Sequence, residues 1–168
     1  MGTRGTFGFI VDGNKKIAYN HFDSYPTGLG LDLLNQINEI GDIEILRKTA
    51  IGIEMVSEDV DATDEQREYC ENHDTFNSNV NNGYGWYALL RENQGTILPF
   101  VEGFKYMLDG SDIFNGEDYD YIINLDTNKL EMYNWGTLKE TIGLDVIINL
   151  AKKDLNVLAE KWESCEED

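Results

Sequence analysis

Tyr19, His21 and Asp23 alternate along the chain, and alternate residues of an extended strand share one face. On such a face Asp23 would orient His21 as an acid or base, while Arg4, returned by a hairpin, would hold an anion beside them. Arg4, His21, Asp23 and Tyr25 are therefore the candidate catalytic set of a small hydrolase or nucleotide- or anion-binding protein. A structural assignment competes with it and takes precedence. In that assignment Asp23 caps the turn at Ser24-Tyr25-Pro26, His21 satisfies buried backbone, and Arg4 pairs with Asp23.

Other chemistry fails on spacing. Asp59-x-Asp61-x-Thr63 begins like a calcium loop, but Asp64 stands where the turn needs glycine and Cys70 where a bidentate glutamate belongs. His21 and His73 belong to no ligand-spaced cluster, so neither zinc nor another metal or cofactor is expected. Gly8, Gly13, Gly28 and Gly30 do not compose a phosphate loop. Cys70 and Cys165 form no CxxC pair, and the expectation is a reducing cytoplasm. The longest apolar runs fall well short of the roughly 20 residues that span a bilayer.

Charge is the strongest compositional signal. The 168 residues carry 32 acids against 13 bases, a net charge of −19, with 41% apolar residues and 11% aromatic, too many for an acidic disordered tail. From Glu54 to Asp74 there are nine acids and one base, Arg67, and from Asp109 to Asp126 six acids and no base. The C-terminal residues from Glu160 onward supply most of the remainder. Such blocks repel nucleic acid and anionic membranes and steer basic partners. Glu58, Asp59, Asp61, Asp64, Glu65, Glu68, Glu71, Asp112, Glu117, Asp118 and Asp120 are the candidate partner-binding carboxylates. Asp118 and Asp120 would share the solvent side of a strand.

The elements that must position these groups follow from periodicity. Phe7, Phe9 and Val11 alternate, Gly13-Asn14 reads as the turn, and Ile17, Tyr19 and His21 alternate back, which predicts a β-hairpin. Leu29, Leu33, Leu34, Ile37 and Ile40 recur at helical spacing and Gly41 ends the run. Asp42 is placed to cap a second short helix through Leu46 to Ala50, and Ile51 to Val56 fits helix or strand. Thr63 with Gln66 forms a capping box ahead of a surface helix from Asp64 to His73. An asparagine-rich loop from Asp74 to Gly83 follows, expected to be mobile or ordered by a partner. Trp86 to Asn93 reads as helix closing at Gly95, and Phe100 to Leu108 is mixed. Tyr119 to Tyr133 alternates about a turn at Asp126-Thr127-Asn128, a second hairpin. Leu144, Ile147, Ile148, Ala151, Leu155, Leu158 and Trp162 trace one face of a single helix of about five turns. The sum is one α+β domain over residues 1–168, an antiparallel sheet of at least two hairpins with helices on one face and a long C-terminal helix.

Thr3-Arg4, the hairpin, and Tyr19-Asn20-His21-Phe22-Asp23-Ser24-Tyr25-Pro26 resemble a group of small bacteriophage proteins that begin with Thr-Arg and carry a Tyr-x-His-[aromatic]-Asp-[Gly/Ser]-Tyr-Pro segment. The Tyr119 to Tyr133 hairpin is similar to a second recurring element of such proteins. The group has no assigned activity, so the resemblance implies a phage origin and no mechanism. With that origin, the charge predicts an accessory protein of the host bacterial cytoplasm. It would bind and inhibit a basic host protein, a defence or nucleic-acid-handling component, without touching nucleic acid itself.

Overall fold

The computed structural model describes residues 3–73, 85–114 and 116–164. The loop from Asp74 to Gly83, Cys165 and the last acids lie outside the described residues. Two strands open the chain, β1 (Gly5–Val11) and β2 (Asn14–Asn20), paired antiparallel with Val11 opposite Asn14. That register makes Asp12-Gly13 the two-residue turn, one position earlier than the sequence pattern indicates. Both residues take positive φ, 51° and 76°, the conformation a tight hairpin of this twist requires. The Asp126 carboxylate fastens the turn by accepting from the backbone N–H of Asp12 at 2.8 Å and of Gly13 at 2.9 Å.

A single-turn π-helix (Pro26–Gly30) leads into α1 (Leu31–Ile40), which buries Leu33, Leu34 and Ile37 and ends on Gly41 at φ 67°. Asp42 caps α2 (Ile43–Gly52) by accepting from Glu44 N. The ambiguous stretch after it divides, with helix to Gly52 and then a short strand, β3 (Glu54–Val56). Lys16 reaches from β2 to the end of α2, donating to the carbonyls of Ala50, Ile51 and Ile53 at 2.8, 3.1 and 2.6 Å, a cation at the negative end of the helix dipole. The capping box at Thr63 and Gln66 starts α3 (Asp64–Glu71). Next come α4 (Trp86–Leu89), a 3-10 turn (Arg91–Asn93), α5 (Leu98–Val101) and β4 (Tyr106–Leu108), the last parallel to β3 in a small second sheet.

The main sheet is completed by β5 (Tyr119–Asn124), β6 (Lys129–Asn134) and β7 (Thr137–Gly143), in the order β2-β1-β5-β6-β7. Every ladder is antiparallel except the central one, where β1 runs parallel to β5 with Phe7 beside Tyr121 and Phe9 beside Ile123. The β6–β7 hairpin turns on Trp135-Gly136, again with positive φ at both positions, 49° and 79°. The fold is thus the expected α+β arrangement with a mostly antiparallel five-stranded sheet.

Phe7, Phe9, Tyr121, Ile123, Leu130 and Met132 face the helices and join one continuous core. The long final helix divides in two, α6 (Leu144–Asn149) and α7 (Lys152–Ser164), with Leu150 extended between them. Asn38 of α1 explains the break. Its amide donates to the carbonyls of Ile147, Ile148 and Leu150 at 2.9, 3.3 and 2.9 Å, pairing the oxygens that a continuous helix would have used itself. The C-terminal α7 then packs on the sheet through Leu155, Ala159 and Trp162.

The opposite sheet face is also covered. The irregular segment after β4 folds across it, with Gly110 N donating to Ile17 O at 2.7 Å and the Phe114 ring set edge-on to Tyr133 at 5.3 Å. Beneath this cover Ile17, Ile122, Thr6 and Asp120 are fully buried.

Candidate functional site

The corner after β2 holds the residues singled out for chemistry. β2 ends at Asn20, and Asp23 turns the chain at φ 54°, a left-handed conformation that aspartate tolerates better than most residues. Because the strand has ended, Asp23 does not continue the alternation of Tyr19 and His21, and among the described residues no hydrogen bond joins it to His21. The His21 ring is held instead by the Tyr19 hydroxyl, 2.8 Å from Nδ1, and its backbone N–H by Gln94 Oε1 at 3.0 Å. Burial raises the Tyr19 hydroxyl above its usual pKa, with Arg4 opposing the shift and Glu117 and Tyr87 adding to it. Asn20 braces the corner from below, donating to Phe22 O and Ser24 Oγ.

His21, Asp23, Asp32, Arg91 and Gln94 line an open cleft of about 290 Å³, with Phe22 at its side and 56% exposed. Asp32 is pushed above the usual carboxylate range, first by burial and then by the neighbouring charge of Asp23. Arg4 and Tyr25 do not line this cleft. The Arg4 N–H donates to Asp118 Oδ2 at 3.4 Å, and Tyr25 packs against the core. No ion pair joins Arg4 to Asp23 among the described residues. The structure therefore keeps His21 and Asp23, separates Arg4 and Tyr25 from them, and supplies Asp32, Arg91 and Gln94. Arg91 and Gln94 come from a distant segment, and Asp32 from the first turn of α1, which follows the corner through the Pro26–Gly30 turn.

The carboxylates fall into three environments. Glu58, Asp59, Asp61, Asp64, Glu65, Glu68 and Glu71 are exposed on α3 and the segment before it. Two of them are engaged: Glu58 Oε2 accepts from Tyr87 N at 2.7 Å, at the start of α4, and Glu71 pairs with Arg67 at 3.0 Å. Asp112 is exposed as well. Its segment leaves the small sheet at the same end as the first group, because β3 and β4 run parallel with Val56 opposite Leu108. Glu117 and Asp118 are half-buried near the start of β5. Asp120 corrects the expectation of a solvent-facing strand, since it is 0% exposed and accepts from the Thr6 hydroxyl at 2.5 Å. The cover formed by the segment around Gly110 and Phe114, invisible to strand alternation, removes it from any docking surface.

No group of three or more His, Cys, Asp or Glu among the described residues is arranged to hold a metal ion. Among the same residues no helix is long and apolar enough to cross a membrane. Comparison with family models, curated proteins and solved structures finds no match to the chain.

Proposed function

We propose that the protein is a binding protein that captures a basic protein through the exposed carboxylates of α3 and the segment before it. One observation carries this reading: Asp59, Asp61, Asp64, Glu65 and Glu68 all reach solvent, and the single base among them, Arg67, is already paired with Glu71. Unneutralised carboxylates repel one another at some cost to stability, and a cationic partner relieves that repulsion. The parallel pairing of β3 with β4 supports the reading further, because it directs Asp109 and Asp112 out at the same end. The partner is a host protein whose Lys and Arg side chains otherwise contact nucleic-acid phosphates. Occupying them inhibits it without contact between this chain and nucleic acid.

Immobilised protein in host lysate should retain such a partner at low salt and lose it steeply as salt rises, since surface attraction is screened within about 10 Å at 0.1 M. Reversal of Glu65, Glu68 and Glu71 to lysine should abolish capture with the fold intact. Retention that is indifferent to salt, or unchanged by the triple reversal, would sink the proposal.

A further inference from the structure

The open cleft at the corner after β2 carries charges of both signs that the docking of a basic protein does not use. Asp23 and Asp32 line it together, close enough that the charge of Asp23 adds to burial in raising the Asp32 carboxyl. Arg91 lines the same cleft, yet among the described residues its guanidinium pairs with neither acid. Unlike charges that share a cleft without closing on each other leave a gap that a ligand bearing both signs can bridge. With the Tyr19 hydroxyl donating to His21 Nδ1 at 2.8 Å, the neutral ring keeps its proton on Nε2, a second donor on the lining. The apolar part is Phe22, 56% exposed and set edge-on to the His21 ring at 4.3 Å, with the buried Leu29 beside it in the lining.

We propose that this cleft binds a free amino acid with an apolar side chain. The α-ammonium sits between Asp23 and Asp32 and relieves their mutual repulsion, while the α-carboxylate takes the fork of Arg91 with His21 Nε2 as second donor. The side chain lies on the exposed ring of Phe22, which removes apolar surface of both from water. Size agrees. At about 30 Å³ per water, the cleft of about 290 Å³ holds roughly ten waters, close to the count of non-hydrogen atoms in leucine or phenylalanine. Charge argues against simpler ligands. A phosphate or other anion meets two carboxylates in a chain of net charge −19, and a plain cation meets Arg91, whereas a zwitterion is neutral overall and finds a counter-charge at each end. None of these residues belongs to the carboxylates of α3, so the inference stands apart from the docking of a basic protein.

The test is calorimetric titration of the full chain with leucine and phenylalanine, each beside its amide, which lacks the carboxylate, and its N-acetyl derivative, which lacks the amine. The free amino acids should bind saturably at one site and the derivatives about tenfold or more weaker, the worth of one lost charge-assisted contact. Arg91→Gln should cost leucine about tenfold or more without weakening the amide, which makes no use of the guanidinium. Asp32→Asn should weaken leucine and its amide alike. Both side chains are exposed, so the melting temperatures of the two variants should stay near that of wild type. Absence of binding by both amino acids would overturn the proposal. So would an amide or N-acetyl derivative that binds equally well, which would make the cleft a site for a cation or an anion alone, and so would leucine binding undiminished by Arg91→Gln. The wild-type comparison of each amino acid with its two derivatives decides the question even if a variant does not fold.

Discussion

The Tyr121 hydroxyl donates to the backbone carbonyl of Ser24 at 2.7 Å, joining the middle of β5 to the corner that carries Asp23 across 97 residues of sequence. Both residues are fully buried. Burial, with the added charges of Glu163 and Asp120, holds the phenol proton well beyond the usual tyrosine range, so this donor persists well above neutral pH. Tyr121→Phe leaves a buried carbonyl unpaired and should lower unfolding free energy by about 1–2 kcal/mol in urea titration. An unchanged midpoint would show that the corner is held without this bond.

The Asn38 amide should matter more than its half-buried position suggests. Asn38→Ala removes one donor from the carbonyls of Ile147, Ile148 and Leu150, at a cost of about 1–3 kcal/mol. The same variant frees those oxygens to continue the helix, so far-ultraviolet circular dichroism should show no loss of helix while stability falls. A loss of helix instead would mean that Asn38 nucleates α6 rather than ending it.

Asp120 and Glu65 separate the carboxylates that build the fold from those available to a partner. Asp120→Ala orphans the Thr6 hydroxyl in the interior and should cost about 1–3 kcal/mol. Glu65→Lys, on the exposed first turn of α3, should stay within about 0.5–1 kcal/mol of wild type, the range of surface changes with a small loss from the helix dipole. Chemical unfolding of the two proteins side by side reads the contrast.

Cys70 is buried, and desolvation, with Glu71 adding, pushes its thiol up to about 11. In a Cys165→Ser background the native protein should resist a thiol reagent at pH 8 and react fully once unfolded. The unfolded chain gives up this proton near its ordinary value of about 8.5, whereas the folded chain keeps it to about 11. Stability should therefore be intact below pH 8 and fall between those two values. A Cys70→Ala protein should lose that part of the alkaline decline, which melting temperatures from pH 8 to 11 would show.

What the sequence revealed was local. Gly41, Asp42 and the Thr63–Gln66 box mark their helix ends because each acts on backbone within a turn of itself. Alternation found all four strands of the two expected hairpins and set the first turn one residue late. It missed β7, because a Trp-Gly turn with a positive φ at tryptophan violates the residue preferences that signal hairpins. It also joined α6 to α7, since the residue that separates them lies more than a hundred positions away. The cleft shares this limit: His21 and Asp23 were visible together, whereas Arg91 and Asp32 meet them only after the helices have packed.

The parallel ladder at the sheet's centre also sets an order of assembly. During synthesis β1 and β2 leave the ribosome early and can close on their own turn, yet the neighbour of Thr6 in the finished sheet is Asp120, 114 residues later. An aromatic-rich strand must wait through most of translation with one side unpaired, a circumstance that invites aggregation. The acid block from Glu54 to Asp74 emerges within that interval, and like charges on neighbouring chains repel one another.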